Sequence, residues 1–111
     1  MSKEMEPSLF VRFFGNAPIV KILDFLIENR LFDYSKTEIA RNAGVGWSTL
    51  HGIWGEIERN NIVVKTRTIG RAEMYRLNTE NVLVKNFIEL DRNFSKSYAA
   101  RMGAGKDRID V

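Results

Sequence analysis

The side chains that stand out in this chain are suited to meeting phosphate rather than to covalent chemistry. There is no cysteine, and His51 is the single histidine. Disulfides, thiolate zinc sites, cysteine nucleophiles and multi-histidine metal sites are therefore excluded, and no cofactor is expected. Glu56, Glu58 and Glu89 are not spaced as an acid–base set. Gly103-Ala104-Gly105-Lys106 lacks the spacing, the following Ser or Thr and the preceding strand of a phosphate loop. An enzyme is not expected. The cations say more. Lys65, Arg67, Arg71 and Arg76 against Glu73 give residues 60–77 an excess equal to the formal net charge of the whole chain, +3. Charge gathered on one short element is the footprint of a phosphate-contacting surface.

The elements that must position these groups follow from pattern. The 111 residues, 44% hydrophobic and 28% charged, fit one globular domain. Residues 1–7 read as a disordered lead-in, 8–101 as the domain and 102–111 as a flexible tail. No apolar run approaches the roughly 18 residues needed to span a bilayer, and MSKEMEP lacks the apolar region of a signal peptide. No membrane partner is expected, and the expected compartment is the cytoplasm.

Ser8 to Phe14 is an aromatic segment that must pack on something. Asn16 is placed to cap a helix bearing Ile19, Ile22, Leu23, Leu26 and Ile27. Leu31 to Tyr34 reads as a connector with buried apolar groups. Ser35 and Glu38 have capping-box spacing for a short helix that Gly44 stops. A third helix covers about residues 47–59, with Leu50, Ile53, Trp54 and Ile57 facing inward. Residues 62–69 and 72–77 alternate as two strands around Gly70-Arg71, a β-hairpin. Asn78 or Thr79 then caps a last helix with a stripe of Leu83, Phe87, Leu90, Phe94 and Tyr98. The fold class is mainly α with a small β-hairpin.

From Lys36 to Ile53 the placement of Ala40, Gly44, Leu50 and Ile53 resembles that of winged helix-turn-helix regulators, in register, with Val45 helping to seat one helix on the other. Glu56 to Val63 resembles the stretch leading into the wing, and Gly70-Arg71 with Tyr75 and Leu77 resembles the wing and its return strand. The length and terminal helices look like the small, often archaeal, regulators and the MarR-like or ArsR-like dimers. The resemblance implies transcriptional regulation by binding double-stranded DNA. The third helix would enter the major groove and the wing would meet the flanking backbone. The implied DNA-facing residues are Thr37, Gly46, Trp47, Ser48, Thr49, His51 and Gly52, with Lys65, Arg67 and Arg71 on the wing. The sequence departs from the family at the start of the third helix, where the usual Arg or Lys is absent.

A stripe as long as that of the last helix would leave an apolar patch if unpartnered. Packing against the N-terminal aromatic segment, within or between subunits, would cover it, and a homodimer is expected. The rival reading is a winged helix that binds protein inside a larger complex. A third is a single-strand or RNA binder stacking bases on Trp47 and Tyr75.

Overall fold

The computed structural model describes the backbone of residues 9–110 and the side chains of residues 11–101. The lead-in at 1–7 lies outside the described residues. The chain forms α1 (Leu9–Phe14), α2 (Pro18–Glu28), β1 (Tyr34–Ser35), α3 (Lys36–Ala43), α4 (Trp47–Arg59), β2 (Val63–Ile69), β3 (Ala72–Leu77) and α5 (Val82–Asp110).

The local signals around α3 act as expected. Ser35 Oγ accepts from the Glu38 amide, and Glu38 Oε1 accepts from the Ser35 amide, so the capping box is complete. Gly44 ends the helix at φ +73°, a left-handed turn that only glycine makes cheaply. The turn delivers the chain into α4 after three residues. Ile39 and Ala40 from α3 and Leu50, Trp54 and Ile57 from α4 enter one core with Ile22, Leu26 and Ile27 of α2. Ile53 packs against that core half-buried.

The sheet has three antiparallel strands in the order β1-β3-β2. The hairpin turns at Gly70, whose φ of +61° sits at the first of two turn residues, where mirror-image hairpin turns need it. The third strand, β1, was not foreseen. Its two residues carry no readable period, and they become a strand only because Tyr34 pairs with Tyr75 and Ser35 with Met74.

Several other expectations are corrected. Ala17, not Asn16, is the N-cap of α2, with Pro18 at the first position and no side chain capping. Ile19 is exposed. Leu31 and Phe32 are 82% and 62% exposed; their backbone turns out of the core before β1 begins. Neither Asn78 nor Thr79 caps α5. Asn81 does, its Oδ1 accepting from the Leu83 amide, while Asn78 ties its amide to the Asn61 carbonyl. Asn81 Nδ2 also donates to the carbonyls of Asn60 and Asn61. The entry of α5 is thereby latched to the exit of α4.

The buried anchor of α5 is Val84, with Phe87 and Ile88 packed beside it. Leu83, Leu90 and Tyr98 of the expected stripe are substantially exposed. The α5 backbone passes Arg101 and runs on to Asp110. Gly103 and Gly105, each costing a helix about 1 kcal/mol relative to alanine, do not break it. Among the described residues no helix is long and apolar enough to cross a membrane.

Candidate nucleic-acid interface

Helix α4 is amphipathic with a narrow buried side. Opposite Leu50, Trp54 and Ile57, the residues Ser48, Gly52, Gly55 and Arg59 recur at spacings of four, three and four, all exposed. This outward ridge is nearly bare. A Cβ added at Gly52 would meet nothing within 4 Å, so no contact inside the chain requires glycine there. At Gly55 an added Cβ would approach only the end of Arg59, 3.3 Å away. Trp47 flanks the ridge, 48% exposed. Its ring stands edge-on to His51, with centroids 4.5 Å apart and planes at 73°. Thr49 is exposed on the other flank.

No side chain caps the first turn of α4, whose N-cap is Gly46. Its amides are thus open to an external acceptor, at the end of the helix where the dipole favours negative charge. Thr37 is exposed in the first turn of α3. The predicted residues of α3 and α4 are therefore all exposed.

The wing is less simple than its sequence. Lys65 pairs with Tyr75 across the ribbon and Arg67 with Met74, so Thr66 is the extra residue of a β-bulge. Cross-strand partners share a face, and neighbours along β3 alternate. The bulge therefore turns Lys65 and Arg67 to opposite faces, where unbroken alternation would keep them on one. Lys65 Nζ lies 3.2 Å from Glu73 Oε2. Arg67 makes a two-pronged contact with Asp33, Nε to Oδ2 at 2.9 Å and Nη2 to Oδ1 at 3.0 Å. Thr66 Oγ1 donates to the same carboxylate. The Arg67 hydrogen bonds, followed by that of Thr66, hold the Asp33 carboxyl down at about 2.

Arg71 at the hairpin tip and Arg76 on β3 are exposed, with no ion-pair or hydrogen-bond partner among the described residues. Among the described residues, the cationic segment thus holds two guanidinium groups without a partner and two cations already shared with carboxylates. At the base of the wing, Tyr75 packs edge-on to Trp54 at 5.0 Å and donates its hydroxyl to Glu73 at 2.9 Å. Burial, then that hydrogen bond, pushes the Tyr75 phenol up to about 12. Lys36 Nζ lies 5.6 Å from the Trp54 ring centroid and 5.9 Å from that of Tyr75.

Sequence reasoning missed Asp33 as the organiser of the wing. Its partners are 33 and 34 residues away, and no local pattern joins them.

Among solved structures the chain is similar to Sso10a-2, a DNA-binding protein from Sulfolobus solfataricus, with a TM-score of 0.50 and 14% identity over 78% of this chain and 90% of that one. It is similar to MepR, a transcription regulator from Staphylococcus aureus, with a TM-score of 0.55 and 15% identity over 79% and 72%. A third likeness is to the transcriptional regulator Tm0710 from Thermotoga maritima, with a TM-score of 0.52 and 20% identity over 90% and 73%. The fold is a winged helix-turn-helix. In its terms α3 and α4 are the helix-turn-helix, and β2 and β3 form the wing. No family model and no curated protein matches the sequence.

Proposed function

We propose that this chain is a transcription regulator that binds double-stranded DNA, with α4 in the major groove and the wing on the flanking backbone. The observation that carries the reading is the pairing of two surfaces on a winged helix-turn-helix. One is the bare outward ridge of α4 and its open N-terminal amides. The other is a hairpin whose tip presents a guanidinium, Arg71, with no partner among the described residues. The neighbours Sso10a-2, described as DNA-binding, and ZitR from Lactococcus lactis, solved in complex with DNA, support it by analogy. ZitR has a TM-score of 0.55 and 11% identity, and this chain spans 60% of it.

In this reading Arg71 meets phosphate directly. Lys65 and Arg67 offer phosphate their remaining donors while their carboxylate partners fix where those donors point. Thr37, Ser48 and Thr49 hydroxyls contact phosphates or base edges, and Trp47, His51, Gly46 and Gly52 line the groove side of α4.

The protein acts as a homodimer. Phe13, 70% exposed, lies against Phe94 of α5 with ring centroids 4.8 Å apart. With Phe14, 5.8 Å from the Phe94 ring, they make an aromatic face on the α1–α5 junction. A cleft of about 450 Å³ there is lined by Arg12, Phe13, Phe94, Ser97 and Arg101. A second copy seated on this face, with Leu90 and Tyr98, covers apolar surface that one copy leaves open. The dimer presents two α4 helices to half-sites about 34 Å apart.

Fluorescence anisotropy with a mixed-sequence duplex at low salt tests the reading. Saturable binding at micromolar protein, resisted by single-stranded competitor, is the expected result. No binding, or equal competition by single strands, would overturn it.

A further inference from the structure

From Gly46 to Gly55 helix α4 has no Arg, Lys, Asn, Gln, Asp or Glu. This stretch therefore lacks the guanidinium or ammonium that reads guanine, the amide that reads adenine and the carboxylate that accepts from cytosine, and Arg59 farther along the ridge is paired with Glu56. What the stretch presents instead is an exposed indole. Trp47 packs edge-on against the His51 ring, with centroids 4.5 Å apart. The outward ridge, which lies beyond His51 from the indole, is bare at Gly52, where a side chain would meet nothing in the chain itself. A groove wall can approach there, with the exposed indole at the edge of the contact. The apolar feature on the floor of the major groove is the 5-methyl group of thymine.

We infer that the Trp47–His51 pair reads thymine through its 5-methyl group, making the target of α4 a thymine-bearing major-groove site. The inference rests on the duplex-binding reading above. The indole covers the methyl, and His51 packs against the indole. Burying one methyl changes affinity by about fourfold.

The test starts from the duplex most enriched by the protein from a random pool, synthesised once with thymine and once with deoxyuridine at every thymine. The exchange removes methyl groups and leaves every hydrogen-bonding edge intact. Wild-type protein should bind the thymine duplex at least about fourfold more tightly. Trp47→Ala should bind the two forms equally. Arg71→Ala should weaken both and keep their ratio. Equal wild-type affinity for both forms would overturn the inference while leaving duplex binding intact. So would a thymine preference that survives in Trp47→Ala. Failure to enrich or bind any duplex would remove the inference together with the reading beneath it.

Discussion

The outward ridge of α4 and the wing differ in how each is prepared for a partner. The ridge is uncharged from Gly46 to Gly55 and backed by Leu50, which is fully buried, and by Ile57 and Trp54. The wing is cationic, yet Lys65 and Arg67 are each tied to a carboxylate. In the proposed reading the ridge therefore serves for fit, with shape and apolar contact as the means of discrimination. The wing is built for charge, with part of that charge spent on its own shape. In the proposed DNA-binding reading, sequence preference belongs to α4 and salt-dependent affinity to the hairpin tip.

The most disruptive way to break this comparison is to remove the seat of α4. Leu50→Ala should lower the unfolding free energy by about 2–5 kcal/mol, read from urea denaturation. A loss well below that range would mean that α4 is not anchored as described. Gly52→Leu separates fit from stability. Replacing a helix-interior glycine in open space should stabilise the fold by up to about 1 kcal/mol. The same change should reduce duplex affinity at least tenfold, or about 1.4 kcal/mol. Unchanged affinity would show that no partner approaches the ridge. Ser35→Ala, which removes one half of the capping box, should cost about 1 kcal/mol. Its effect on DNA affinity at temperatures well below melting should be small.

The smallest effect concerns the wing. The Asp33 carboxyl sits at about 2, below its ordinary 3.8, so the folded state favours the carboxylate. Its contribution to stability is full above pH 4 and is lost as pH falls from about 4 to 2. Asp33→Asn should flatten the urea midpoint across that window. An identical acid profile in the variant would mean that the Arg67 contact does not constrain the wing.

The parts of the molecule readable in sequence are those set by local chemistry. Ser35, Glu38 and Gly44 act within one turn of themselves, so α3 and the turn into α4 could be placed to the residue. The hairpin was legible for the same reason, through Gly70 and β-branched neighbours. What remained hidden depends on distant partners. Tyr34 and Ser35 become a strand through β3, and the Thr66 bulge appears only when β2 is laid against β3. Asn81, not Asn78, caps α5, because a turn in which Asn78 Oδ1 accepts from the Glu80 amide intervenes before the helix starts at Val82. Leu31 and Phe32 mislead because apolar type alone does not decide burial. On the candidate interface, sequence identified exposed residues but not that two of the three chosen wing cations have internal partners.

The most direct test is the salt dependence of duplex affinity in wild type, Arg71→Ala and Thr49→Ala, measured on random DNA and on DNA enriched from a random pool. Wild-type affinity should fall with salt at a log–log slope of about −0.9 per neutralised phosphate. Arg71→Ala should flatten that slope by about one phosphate on both DNAs. Thr49→Ala should keep the slope and lower the preference for enriched over random DNA. A salt-independent affinity, or an unchanged slope in Arg71→Ala, would contradict the division of labour between wing and helix.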